Sequence, residues 1–489
     1  MRKIFKKKCL IGTLLMVLIW GVFSVRNLVA LDPDFGWHLR TGEWIWQNQA
    51  IPKTDLFSYT MPDYSLSYPG WLAEVIIYRL YQKVGYLGLS VFFGLAGMLI
   101  FLILIPANSV NFALVPVILL AKALLGYISI RPATLSFLLA AIFFGILRKS
   151  LNKPRLLLIL PAIFLLWANL HGGFFIGLAI LTLSILIELF LIVRGKKKPS
   201  LYLKLAFCSL FFSLLATSIN PYGWRIYQEV FLTLFSQELH FQISEWLPYA
   251  NFDLSMFIYT GVLVSFGILQ QRGLSLFEKI TSGLLLLGGL SSRRLIGYFF
   301  IFTLPIFTSL TREFYFQVYR LRNFKKLWRK RRFFSVAFCL FVCFSFWSGF
   351  KDLKKMREER YYPERAIEFI RQQNLSSNLF SSYNWGGYLI WKLPEKKVFV
   401  DGRMAIWKQN GYSAFKESGQ ILTGVKDYRP VFDRYSIEAV LLPVEKESNR
   451  RSKEALFSLN RQLAQDGWQL VYEDGIAQVF VWPGKERNY

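Results

Sequence analysis

Charge is scarce in this chain and unevenly signed. Only 18% of its 489 residues are Asp, Glu, Lys or Arg, less than a soluble protein of this size carries. Cysteine is scarce too. Cys9, Cys208, Cys339 and Cys343 all lie inside apolar runs, and none has the spacing of a zinc site. Cys339 and Cys343, one helical turn apart, read as packing rather than chemistry. No Walker loop, HExxH, GxSxG or dinucleotide fingerprint occurs, so use of cytosolic ATP or a nucleotide-sugar has no support. Acids are outnumbered, 31 against 58 bases, for a formal charge of +27. The excess falls in short blocks between hydrophobic runs, which is a topology signal and not a nucleic-acid footprint.

Apolar residues fill what charge leaves open. The chain is 54% hydrophobic and 17% aromatic, with a mean hydropathy of +0.35. A span needs about 20 apolar residues. Window reading gives about eleven of them, at 9–31, 73–105, 112–128, 133–147, 156–170, 173–193, 203–219, 254–269, 274–290, 295–310 and 333–350. The second is longer than one span and is expected to be entered by an interfacial turn before Gly85. The fold class is therefore an α-helical polytopic membrane protein.

The basic blocks set its orientation. Lys6-Lys7-Lys8 precede the first span, Arg148-Lys149 follow the fourth, Lys196–Lys198 follow the sixth, and Arg329–Arg332 precede the last. With this count all fall on one side, which is then cytoplasmic. The amino-terminal run is too long for a cleaved secretory signal and lacks a small-x-small site before Asp32, so it reads as a signal-anchor helix with its N-terminus in the cytoplasm.

The opposite face collects the polar residues that interrupt the apolar pattern. Asp32-Pro33-Asp34 sits where the first span ends, followed by Trp37-His38-Leu39 in a first external loop at 32–72. Carboxylates beside hydrocarbon are costly and usually kept for a reason, although two acids can also simply mark the aqueous end of a helix. His38 is a candidate base, metal partner or polar anchor. Arg131, Arg293 and Arg294 end external turns with no acid nearby in sequence. Positive-inside statistics disfavour them there, and guanidinium forks bind phosphate. His171-Gly172-Gly173 allows a tight hairpin or a close ligand approach. Asn220-Pro221-Tyr222-Gly223 reads as a turn, and Glu245 beside Trp246 pairs an acid with an aromatic in the same segment.

After residue 350 the long apolar runs stop. A helix is expected at 364–373, strands at 378–381, 397–401, 438–443, 469–473 and 478–482, and a further helix at 452–465, with Asp474-Gly475 as a hairpin turn. The domains are thus a transmembrane unit at 1–350 and a soluble α/β domain at 351–489 outside the membrane. Trp385-Gly386-Gly387-Tyr388 and Asp401-Gly402-Arg403 stand out in it. A strand ending in Asp-Gly-Arg suits a ligand site or an Asp–Arg pair fixing a loop.

Together, the aspartate pair, the long first external loop, the many spans and the external terminal domain resemble the GT-C superfamily of integral-membrane glycosyltransferases. Within it the chain is similar to bacterial multi-pass proteins of the dolichyl-phosphate-mannose-mannosyltransferase-like type, which carry the Asp-Pro-Asp-x-x-Trp-His-Leu opening and the Trp-Gly-Gly-Tyr and Asp-Gly-Arg motifs. The resemblance implies an enzyme of the bacterial inner membrane. It would transfer a sugar, with inversion, from a polyprenyl-phosphate-linked donor to a glycan, lipid or protein acceptor outside the cytoplasm. An acid of the first loop acts as general base in such enzymes, a role that Asp32 and Asp34 match by position. Arg131, Arg293 and Arg294, with His38, His171 and Glu245, are the expected substrate-binding residues. Metal dependence stays open; Mg or Mn, if used, would meet Asp34. An O-antigen-type polymerase or ligase would concentrate its arginines and histidine in a large late external loop. A transporter or lipid-handling protein would show internal repeats. Here the acids come first and the late loop is modest, no convincing repeat is seen and few charges fall at mid-span, which favours the transferase resemblance over these two alternatives.

Overall fold

The computed structural model describes residues 2–105, 112–235, 243, 246–247, 254–269, 274–319, 347, 357–375, 377–444 and 458–483. The expected last span at 333–350 lies outside these residues, apart from Trp347, and so does Glu245.

Each of the other ten apolar runs carries a helix. α1 is Arg2–Val29 and α3 is Trp71–Leu104; α4 to α8 are Leu114–Leu124, Pro132–Ser150, Leu160–Leu170, Phe174–Val193 and Leu201–Thr217. α10, α11 and α12 are Leu254–Leu269, Leu276–Ser291 and Arg293–Tyr319. Two more helices fall between the spans, α2 at Phe35–Asn48 and α9 at Arg225–Phe235. Among the described residues five are long and apolar enough to cross a membrane: Gly12–Val29, Trp71–Leu104, Pro132–Ser150, Phe174–Val193 and Arg293–Gln317. Leu14, Leu18, Phe211, Phe212, Leu284 and Leu287 each stand more than half exposed on the outside of the bundle. Water would not tolerate that many bare apolar side chains, and lipid would.

Gly85 breaks α3 with φ 63° and ψ −170°, a conformation essentially reserved for glycine. The break separates a mixed first half, which carries Glu74, Arg79 and Gln82, from the apolar second half. It falls where the turn into the membrane was expected. Arg79 lies over the Trp46 ring at 3.8 Å, so α2 and the first half of α3 share an amphipathic layer.

The terminal region is built on a four-stranded sheet ordered β1-β2-β4-β3, with β1 at Asn378–Ser381, β2 at Ile437–Pro443, β3 at Gln469–Glu473 and β4 at Ala477–Val481. β1 pairs parallel to β2, and β4 runs antiparallel to both of its neighbours. Asp474 closes the β3–β4 hairpin, its Oδ1 accepting from the Ile476 and Ala477 amides at 2.7 and 2.8 Å. The strand expected at 397–401 is reduced to single bridges, from Val398 to Leu379 on one side and to Ser58 on the other. Asp401 then turns the chain by accepting the Arg403 amide at 2.9 Å, which ends the extended run before a ladder forms.

Ser58 belongs to the first loop, so that loop completes the sheet. The Tyr59 amide donates to the Val398 carbonyl at 3.2 Å, the Val398 amide to the Phe57 carbonyl at 2.9 Å, and Thr60 Oγ1 to the Phe399 carbonyl at 2.7 Å. Met61 is buried in the same core as Phe380, Phe399, Trp407, Phe432 and Phe480. The pairing covers the β1 edge, which would otherwise offer unpaired backbone to other chains.

Orientation is tested by cysteine labelling in a cysteine-free background. Val425 is 76% exposed in the terminal region, and Lys198 is exposed in the basic block after α7. A membrane-impermeant maleimide is expected to label Val425→Cys in intact cells and Lys198→Cys only after permeabilisation. The reverse pattern would invert the topology.

Candidate functional site

One end of the helical bundle and the terminal region enclose a cavity of about 630 Å³. Helices α5, α7 and α12 begin at it, with Arg131, Gly173 and Arg294 in its wall, and run away from it. The α5 and α7 helices finish at the basic blocks Arg148-Lys149 and Arg194–Lys198, so the cavity lies at the opposite end of those helices from their cations.

The Asp32-Pro33-Asp34 turn gives its two acids different surroundings. Asp32 is buried; its Oδ1 accepts the Asp34 amide at 3.0 Å and its Oδ2 lies 3.7 Å from Arg131 Nε. Arg131, without an acid near it in sequence, thus finds one across the fold. Asp34 lines the cavity. It occupies the N-cap position of α2, yet its carboxylate caps no backbone amide and instead accepts the Trp37 indole N–H at 2.9 Å. An anion here also benefits from the positive end of the α2 dipole.

His38, one turn further, lies against Trp37 with ring centroids 3.7 Å apart and the planes tilted by 36°. Its Nδ1 is 3.1 Å from Glu74 Oε1 and 3.4 Å from the Tyr68 hydroxyl. Burial, then the charges of Arg131, His171, Arg294 and Arg403, hold His38 well below the usual histidine range. The imidazole is therefore neutral, and its contact with Glu74 is a hydrogen bond rather than an ion pair. His171 is neutral as well. Burial first, then Arg294 and Arg131, push it down to about 3. Its Nδ1 accepts the Gly173 amide at 2.9 Å, which fixes the tautomer and leaves the proton on Nε2 as a donor.

Arg294 lines the cavity with its guanidinium 5.1 Å from the centre of the Trp246 ring. Arg293, beside it, is exposed, outside the lining, and gives its backbone amide to the Leu247 carbonyl at 3.2 Å. The expected set thus divides: Asp34, His38, Arg131, His171 and Arg294 share the cavity, Asp32 stands behind it and Arg293 faces away.

The terminal region supplies the remaining wall through Tyr383, Asn384, Gly387, Gly402, Arg403 and Trp407. Backbone meets backbone there. A Cβ on Gly402 would sit on Asp34 Oδ1, and one on Gly387 would sit on the Pro33 carbonyl. Arg403 rivets the contact from behind. It binds Asp401 through Nε and Nη2 at 2.8 and 2.7 Å and reaches Asp55 of the first loop at 2.8 Å, with all three side chains buried. Asp401-Gly402-Arg403 thus has the loop-fixing arrangement. Trp385, also buried, donates to the Tyr361 carbonyl at 3.0 Å.

Glu74, Tyr68 and Glu229 line the cavity without having been singled out by sequence. Glu74 was hidden at the head of a long apolar run, and Glu229 follows a segment that reads as a turn. Among the described residues no three His, Cys, Asp or Glu side chains come together as metal ligands, and the Arg131 guanidinium sits on the Asp32 oxygen a cation would share. The described residues by themselves do not offer a divalent ion its usual set of oxygen donors.

Two outcomes follow. Arg403→Leu strands two buried carboxylates, which costs about 3–5 kcal/mol, and is expected to lower the melting temperature in detergent; adding Asp55→Asn should restore part of it. His171 should give neutral-imidazole ¹⁵N signals from pH 8 to 5. The unfolded chain takes a proton near 6.5 while the folded one holds out to about 3, so stability should fall as pH drops through that interval.

No family model and no curated protein matches the sequence. Among solved structures, the archaeal oligosaccharyltransferase AglB from Archaeoglobus fulgidus, in complex with an inhibitory peptide and a dolichol-phosphate, aligns with TM-score 0.51 and 12% identity over 88% of this chain and 69% of that one. The apo form of the oligosaccharyltransferase from the same organism aligns over the same shares at TM-score 0.49. At such identity the likeness is one of architecture. The chain shares the fold of that oligosaccharyltransferase.

Proposed function

We propose that this protein is an inverting glycosyltransferase of the bacterial cell membrane, moving a sugar from a polyprenyl-phosphate carrier to an acceptor outside the cytoplasm. One observation carries the reading. A carboxylate not used for helix capping, Asp34, lines the same cavity as Arg131, Arg294 and the neutral donor His171. Base and cations are what the reaction needs at its two ends. The shared fold adds weight, since the archaeal oligosaccharyltransferase was solved with a dolichol-phosphate.

In the step envisaged, the acceptor hydroxyl oxygen bonds to the anomeric carbon as the bond from that carbon to the phosphate oxygen breaks. The hydroxyl proton passes to Asp34, and the phosphate leaves with the electron pair. Arg294, aided by Arg131 and the His171 Nε2–H, meets the charge developing on the phosphate. Direct displacement inverts the centre and needs a single base. Asp32 is then a positioning residue: it fixes the Asp34 amide and holds Arg131. His38, kept neutral and bound to Glu74, orients the wall under Trp37. The isoprenoid tail would follow the apolar part of the lining, around Phe137, Phe175 and Leu295.

Reconstituted protein given polyprenyl-phosphate sugars tests this. Asp34→Asn should cut turnover by roughly 10²–10⁴-fold, the usual worth of a general base, with the fold intact. Asp32→Asn should cut it less and alter the Arg131 environment. Arg294→Ala should chiefly raise KM for the donor. Full turnover in Asp34→Asn would sink the base assignment, and an unchanged donor KM in Arg294→Ala would sink the phosphate role.

A further inference from the structure

Electrostatics divides the cavity into two unlike ends. Arg131 and Arg294 both act on His38 and His171, so these four groups share one end. Glu229 of α9 lines the wall together with Tyr64, Tyr222 and Thr233. Its charge acts on Tyr64 and, behind that of Glu74, on Tyr222. Burial pushes Glu229 up to about 7, and no cation offsets that burial. Among the described residues no hydrogen bond or ion pair reaches its carboxyl, unlike Asp34, Glu74 and Asp401.

A half-buried carboxyl that faces a cavity without a protein partner among the described residues is open to water or to a ligand's hydroxyls. The neighbours indicate which ligand. Tyr64 stacks on the buried Trp407 at 4.4 Å and 11°, and the Arg403 guanidinium lies 5.1 Å from the Trp407 ring. Tyr64 is the outer layer of that stack, fixed by the terminal region. A rigid aromatic face next to a carboxylate suits a pyranose, whose C–H face packs on the ring while its hydroxyls donate to the acid. An anionic headgroup would find no cation in Glu229, Tyr64 or Tyr222 themselves.

We infer that Glu229, Tyr64 and Tyr222 form a pyranose subsite that holds the acceptor, so that the acceptor is a glycan. The inference rests on the transferase reading above. It places donor phosphate and acceptor sugar at opposite ends of one cavity, with Asp34 in the wall between first loop and terminal region.

Saturation-transfer NMR on the full chain in detergent, with a panel of methyl hexopyranosides and methyl N-acetylhexosaminides, reads binding without turnover. Wild type should saturate the ring protons of at least one pyranoside. Glu229→Leu, which removes a carboxyl that holds nothing else in the described fold, should weaken that binding roughly tenfold or more, as expected for losing a hydrogen bond to a charged group. Val425→Ala, on the exposed surface outside the cavity, should leave it unchanged. The subsite is overturned if no pyranoside is saturated, if Glu229→Leu binds as wild type does, or if short peptides compete at the site where pyranosides do not. Loss of turnover in Asp34→Asn without pyranoside binding would sink the subsite and keep the base. Pyranoside binding through Glu229 with full turnover in Asp34→Asn would do the opposite.

Discussion

The buried ion triad of Arg403 with Asp55 and Asp401 is the constraint on which the site depends. Taking three charges out of water costs several kcal/mol for each ion, and the bidentate grip on Asp401 with the second bond to Asp55 recovers that cost through geometry. What the fold gains is a fixed register between the first loop and the terminal region. With the triad in place, Gly402 packs on the Asp34 carboxylate and Gly387 on the Pro33 carbonyl, and the Asp-Pro-Asp turn has one conformation. Without it the cavity would lose a wall, and Asp34 its backing.

That arrangement separates two acids that the sequence offers as equals. Asp34 faces the cavity and takes its hydrogen bond from an indole, while Asp32 is spent on its neighbour's amide and on Arg131. Likewise the two histidines, which residue type alone would suggest as proton carriers, are held neutral by burial among arginines. They are better fitted to donate and orient hydrogen bonds than to exchange protons near neutral pH.

The helices were legible because apolar length is a one-dimensional signal, as Phe174–Val193 and Pro132–Ser150 illustrate. Gly85 was legible because a span of 34 residues exceeds what a bilayer needs. The Asp-Pro-Asp turn announced itself as paired charge at the end of an apolar run. Glu74 did not, since one acid heading a hydrophobic segment looks like its aqueous boundary. The Arg403–Asp55 bond and the first loop's share of the sheet were invisible for another reason: partners so far apart along the chain leave no local pattern. The same distance hid the acid that Arg131 meets.

The closure of the sheet by the first loop also bears on synthesis. Asp34 leaves the ribosome roughly 370 residues ahead of Gly402, which at about 5–20 residues per second is some 20–70 s. Throughout that interval the loop waits with Ser58 and Met61 unmatched and the base without its wall. A chain that stops short of the Asp-Gly-Arg motif, or fails to deliver it to the loop's side, therefore lacks a formed cavity. Delivery of that motif is the event that closes the wall behind Asp34.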